Sequence, residues 1–266
     1  MATINYTLQK ISSDLFIKYR SKEREYIDEK IANFQTALNS YFDNKISDIL
    51  IFGSYKRDTI LPRKFDEKSD IDVLVIFNQA QKELTPETYR NQLKKFASSK
   101  YPRTKVLKDH PSIVLELSNI KFDLVPCRIY DGLFSDYYQI PDKNGQWMDT
   151  YPKEFNEKLT KSNNQYNSIV KPIIRLLKCW NADKGYPFAS YELEQLIADM
   201  NFSNDNYQTG FLYAIEKLPT YNLSEQSKKK VETLKNNKDW IEEYIKRDNQ
   251  DKAIEVVCRI LGVTLN

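Results

Sequence analysis

Asp70 and Asp72, one residue apart in Ser69-Asp70-Ile71-Asp72, are the residues of this sequence most open to chemistry. They open the run Val73-Leu74-Val75-Ile76-Phe77, whose unbroken apolar character reads as a buried strand. Side chains alternate along a strand, so the spacing predicts Asp70 and Asp72 on one face and Ile71 and Val73 on the other. Two adjacent carboxylates repel each other unless a cation neutralises them. All-oxygen ligation suits Mg²⁺, which usually takes one or two carboxylates together with substrate phosphates. Sixteen positions before Asp70 the apolar pair Ile51-Phe52 ends in Gly53-Ser54. Gly53 would let backbone approach a phosphate closely. Ser54 offers a hydroxyl and an amide to the same oxygen, and a helix starting there would favour an anion. Either pair alone reads as a turn; jointly they point to metal-dependent nucleotidyl transfer.

A third carboxylate follows in Ile120-Lys121-Phe122-Asp123-Leu124-Val125. Alternation puts Phe122 and Leu124 on one face and Asp123 on the other. Beside the strand that starts at Asp70, Asp123 would complete a cluster able to hold two metals about 3.5–4 Å apart. Glu116 is the rival ligand, although its alternation equally places it in solvent. Further on, Lys171, Arg175 and Lys178 share one side of an apolar helix by their spacing of four and three. They read either as a solvated basic face or as a source of ammonium groups for a triphosphate. Ser190 reads as the cap of the helix after it.

These residues need a scaffold. Ile27, Ile31, Phe34, Leu38 and Phe42 form one stripe, within a helical pattern predicted from about Leu8 to Phe42 without Gly or Pro. Strands are predicted over Ile49–Phe52, Val73–Phe77, Ser112–Leu117 and Ile120–Val125, the last two joined at Ser118-Asn119. A helix is predicted from about Pro86 to Ser98. After Phe155 only helical patterns remain: 169–180, 191–200, 207–218, 224–246 and 251–261. The fold class is therefore α+β, a mixed sheet with a long N-terminal helix and a C-terminal helical lobe. The division expected is a core lobe over 1–155 and a helical lobe over 156–266 that completes a cleft. Asp142-Lys143-Asn144-Gly145 reads as a surface turn, and Ser227-Lys228-Lys229-Lys230 as a solvated helix face.

Composition narrows the function classes. Net charge is only +3, which suits small charged substrates better than long nucleic acid. No apolar stretch approaches the roughly 20 residues needed to cross a bilayer, and no secretory leader pattern opens the chain. A cytoplasmic location without a membrane partner is the expectation. Cys127, Cys179 and Cys258 are far apart, which argues against a disulfide framework or a zinc knuckle. His110, the one histidine, lies in a turn-like Asp109-His110-Pro111 and reads as an ordinary residue.

In combination, these motifs resemble the polymerase-β-like nucleotidyltransferases, in particular the branch of cGAS, oligoadenylate synthetase and the bacterial cGAS/DncV-like enzymes (CD-NTases). The resemblance runs from Gly53-Ser54 through Asp70-Ile71-Asp72 and Phe122-Asp123-Leu124-Val125-Pro126. It continues to Ile174-Arg175-Leu176-Leu177-Lys178-Cys179-Trp180 and Ser190-Tyr191-Glu192-Leu193-Glu194. It implies that Asp70, Asp72 and Asp123 are catalytic and bind two Mg²⁺ ions, with Mn²⁺ as a substitute. It assigns Gly53, Ser54, Lys178 and Ser190 to a donor triphosphate and places Tyr191 where an aromatic ring stacks on a base. The substrates implied are ribonucleoside triphosphates, the product a cyclic di- or trinucleotide messenger in anti-phage signalling. No polynucleotide activator is implied, and a downstream effector would bind the product rather than the enzyme. The alternatives are nucleotidyl transfer to RNA, protein or a small molecule, and a non-catalytic scaffold.

Overall fold

The computed structural model of the chain describes residues 3–78, 84–104, 106–109, 112–117, 120–130 and 137–264. In chain order the elements begin with α1 (Ile4–Asp14), α2 (Lys22–Phe42), β1 (Ile46–Phe52) and the one-turn α3 (Gly53–Lys56). β2 (Ile71–Phe77), α4 (Pro86–Lys100), β3 (Val106–Asp109), β4 (Ser112–Leu117) and β5 (Ile120–Tyr130) follow. A hairpin, β6 (Tyr137–Pro141) and β7 (Trp147–Thr150), precedes the helical half. That half comprises α5 (Pro152–Gln165), α6 (Val170–Asp183), α7 (Ser190–Ala198), α8 (Tyr207–Lys217), α9 (Glu225–Lys246) and α10 (Gln250–Leu261). His110 and the Ser118-Asn119 turn lie outside the described residues.

The chain divides into two compact units, one of Lys18–Arg57 and Lys68–Asn156, the other of Met1–Ile17, Asp58–Glu67 and Glu157–Asn266. The division expected at 155/156 was linear, whereas here α1 and residues 58–67 group with the C-terminal helices. Ile4, Leu8 and Ile11 are the reason, since α1 buries that face against α6, α8 and α10.

In the sheet unit the strand order is β1-β2-β5-β4-β3, with β6 on the outer part of β5 and β7 on β6. β2 and β5 are parallel while β1–β2, β3–β4 and β4–β5 are antiparallel, which makes the sheet mixed as expected. The predicted stripe Ile27, Ile31, Phe34, Leu38 and Phe42 is the set of residues that α2 buries. Phe34 stacks on Phe122 of β5 at 4.5 Å, and Phe42 meets Phe77 of β2 edge-on at 5.3 Å. Burying a phenylalanine stabilises by roughly 1.5–3 kcal/mol, so these contacts fix α2 on one face of the sheet. The other face carries Leu74, Ile76, Val125 and Cys127, covered by Ile129, Tyr138 and Ile140.

The single helix predicted over 8–42 is corrected to two. Ser21 accepts from the backbone N–H of Arg24 and so starts α2 as an N-cap, and Arg20 takes φ +61, which no continuous right-handed helix contains. The Asp142–Gly145 turn is present between β6 and β7, where the Asp142 carboxylate accepts from the amides of Asn144 and Gln146.

The helical unit buries Trp180, Phe188, Phe202 and Phe211 almost completely. Asn181 holds the loop after α6 by bonding both the amide and the carbonyl of Phe188 at 3.0 Å. Of the lysine run on α9, Lys230 is not simply solvated, since its Nζ donates to the Lys184 carbonyl at 2.6 Å. Among the described residues no helix is long and apolar enough to cross a membrane.

Candidate active site

The parallel register of β2 and β5 decides where the aspartates fall. Asp72 and Asp123 are direct partners, followed by Leu74 opposite Val125 and Ile76 opposite Cys127. Those apolar pairs share one face of the sheet, so both carboxylates project from the entrance of that face. One row earlier Ile71 faces Phe122, which sets Asp70 beside Lys121, and the Lys121 ammonium stands 3.6 Å from the Asp70 carboxylate. Asp123 accepts from the buried Ser112 hydroxyl of β4 at 2.7 Å. Glu116, the rival third ligand, is exposed and stands across from Lys121 in the β4–β5 ladder.

Gly53 lies against Asp72. Its φ of +69 belongs to the left-handed region, and a Cβ there would sit 1.7 Å from Asp72 Oδ2. The site therefore excludes any side chain at 53 both by backbone conformation and by space. Ser54 is the next residue, in the first turn of α3, the short helix that the Gly-Ser pair was expected to open.

Three carboxylates thus gather at the mouth of two parallel strands. Their hard oxygen donors and the bare backbone at Gly53 fit a divalent cation and a phosphate. Among the described residues no three His, Cys, Asp or Glu side chains close on one point as a finished cage. Lys121 was legible, since alternation puts it on the same face as Asp123; Ser112 gave no such signal.

In the helical unit the basic side of α6 is neither of the two alternatives in full. Arg175 is buried, with Nη1 donating to the Asp58 carbonyl at 2.8 Å and Nε to the Ser12 carbonyl at 3.4 Å. Lys171 Nζ binds the Asp58 carboxylate at 3.2 Å. Lys178 is 5% exposed and its Nζ donates to Glu194, itself 1% exposed, at 2.8 Å. The solvated-face reading therefore fails for Arg175 and Lys178. This ion pair links α6 to α7, the two helical segments through which the resemblance continues. Ser190 does not cap α7 with its side chain; the cap position is Ala189, which has no side-chain hydrogen bond, and Ser190 is the first helical residue. Tyr191, next to it, is 49% exposed, so half its surface is accessible.

The family described as Second Messenger Oligonucleotide or Dinucleotide Synthetase (SMODS) domain matches residues 1–163, a span that contains Gly53, Ser54 and all three aspartates. The chain belongs to the SMODS family. Among similar proteins is a probable cyclic nucleotide synthase of Bacillus cereus, 25% identical over 70% of this chain and 66% of that protein. A cyclic AMP-AMP-AMP synthase of Acinetobacter is 27% identical over 62% of this chain and 50% of its own length. The chain thus spans about half to two thirds of the length of these curated relatives. In fold it resembles the CD-NTase CdnG of Bradyrhizobium diazoefficiens, solved with GTP, at TM-score 0.70 and 13% identity over 97% of this chain and 98% of that one. The cGAS/DncV-like resemblance and the α+β class drawn from the sequence both hold.

Proposed function

We propose that this SMODS protein is a nucleotidyltransferase that joins ribonucleoside triphosphates into a cyclic di- or trinucleotide and releases pyrophosphate. The observation that carries the reading is the pairing of Asp72 with Asp123 on adjacent parallel strands, with Gly53 packed against the Asp72 carboxylate. Divalent-metal use is the family's chemistry. In this reading Asp70, Asp72 and Asp123 hold two Mg²⁺ ions, with Mn²⁺ able to replace them. Such ions would supply charge neutralisation at the triphosphate and a lowered pKa for the attacking hydroxyl.

The chain's own residues do the positioning. The bare backbone of Gly53 and the hydroxyl and amide of Ser54 receive phosphate oxygens. Ser190, at the first helical position of α7, has an amide outside the intrahelical bonding, and the resemblance assigns it to the donor triphosphate. Tyr191 offers an accessible ring face to a base. Lys178 is assigned to the triphosphate by resemblance, and its ion pair with Glu194 means that it acts as one half of a buried pair. In this reading the protein acts in the cytoplasm without DNA or RNA activator, and its product signals by binding an effector.

The test is pyrophosphate release from the four ribonucleoside triphosphates with Mg²⁺ or Mn²⁺. The wild type should release it, and Asp70→Asn/Asp72→Asn should not, while keeping its circular dichroism and melting temperature. Relief of carboxylate repulsion should leave that variant as stable as the parent. Normal turnover by the double variant would remove the aspartates from the active site.

A further inference from the structure

The one-turn helix α3 carries the proposed phosphate grip yet is too short to hold itself, because a single turn fixes several residues for one backbone bond. Its cap, Phe52, makes no side-chain hydrogen bond. On one side Gly53 rests against Asp72. On the other, the third residue of the turn, Tyr55, is 3% exposed and its hydroxyl donates to Asp28 Oδ1 of α2 at 2.6 Å. The other oxygen of that carboxylate accepts from Arg24 Nε at 3.3 Å, one helical turn away on α2. The Arg24 guanidinium in turn lies 4.0 Å from the centre of the Tyr55 ring. Phenol, carboxylate and guanidinium thus close a cycle onto α2, itself fixed to the sheet by Phe34 and Phe42.

We propose that Asp28, Arg24 and Tyr55 form a clamp that positions the Gly53-Ser54 turn for the donor triphosphate. They are positioning residues, since none of them needs to touch substrate. The inference rests on the reading of that turn as the phosphate grip. Burial first, and then the Asp28 hydrogen bond, push the Tyr55 phenol far above its ordinary range, so it stays a donor throughout the neutral range. Tyr55→Phe keeps the ring and its packing and removes only the hydrogen bond, which isolates positioning from folding.

The experiment measures kcat, KM for triphosphate and melting temperature for Tyr55→Phe, Asp28→Ala, Asp28→Asn and Ser54→Ala. Tyr55→Phe and Asp28→Ala should each raise KM roughly threefold to tenfold, the equivalent of one lost hydrogen bond, with kcat nearly unchanged. Tyr55→Phe should do so without lowering the melting temperature. Asp28→Asn, whose amide oxygen still accepts from Tyr55, should restore much of the affinity. The double variant Tyr55→Phe/Asp28→Ala should be no worse than Asp28→Ala alone, because the Tyr55–Asp28 bond is already lost there. Unchanged KM in Tyr55→Phe alongside raised KM in Ser54→Ala would overturn the clamp and leave the phosphate grip standing. Unchanged KM in both would overturn the grip itself, and the clamp with it.

Discussion

Asp72 limits what can stand at position 53, and that constraint can be tested with one methyl group. Gly53→Ala would need φ near +69 and would place its Cβ on Asp72 Oδ2, so the carboxylate must move. Displacing a reacting group by about 1 Å can cost on the order of a hundredfold in rate. Gly53→Ala should therefore lose about that much turnover in a pyrophosphate assay while its far-ultraviolet dichroism persists. Lys178 shows the opposite case, a residue whose burial changes what its removal does. The assignment of Lys178 to the triphosphate by resemblance implies, taken alone, that Lys178→Ala weakens triphosphate binding and spares the fold. The ion pair corrects that expectation, because alanine would take the ammonium away from the buried Glu194 carboxylate. Breaking such a pair costs about 3–5 kcal/mol, so Lys178→Ala should melt several degrees lower. Lys178→Met/Glu194→Leu should recover most of that stability, and a thermal scan of the two variants decides it.

Elements were legible in proportion to how locally they are specified. The α2 stripe could be read from spacings of three and four because one helix face meets one sheet face. β2, buried on both faces, could be read as one apolar run, whereas its place beside β5 entered only as a condition for Asp123 to join the site and its parallel direction was not read at all. The break at Arg20-Ser21 escaped notice because no Gly or Pro marks it; a serine cap and one left-handed residue suffice. β6 and β7 are short and only partly buried, so they lack the alternation that reveals a strand. The pairs Lys178–Glu194 and Tyr55–Asp28 join distant positions through tertiary packing, which no spacing encodes. At this scale the aromatic contact of α2 with the sheet is the point to probe. Phe34 is 1% exposed and touches Phe96, Tyr101 and Phe122. Phe34→Ala should cost about 3–5 kcal/mol in urea unfolding; a loss under about 1 kcal/mol would mean that α2 is held by other contacts.

Across the whole molecule, each unit carries a buried thiol that reports on its integrity. Burial pushes Cys127 in the sheet unit and Cys179 in the helical unit up to about 12, against an ordinary value of 9.0. Because the folded value lies above the unfolded one, the stabilising contribution is complete below pH 9 and is lost as pH rises from 9 toward 12. Each thiol can remove up to about 1.4 kcal/mol per pH unit in that window. Denaturant midpoints should therefore fall above pH 9, and Cys258, half-buried, should react with iodoacetamide at pH 8 before the other two. The central claim concerns the product. The purified protein would be incubated with all four labelled ribonucleoside triphosphates and Mg²⁺, without polynucleotide, and the phosphatase-resistant products identified by mass spectrometry. A soluble species with the mass of a cyclic di- or trinucleotide, absent from the Asp70→Asn/Asp72→Asn variant, is the expected result. Label confined to a macromolecule, or no resistant product at all, would contradict it.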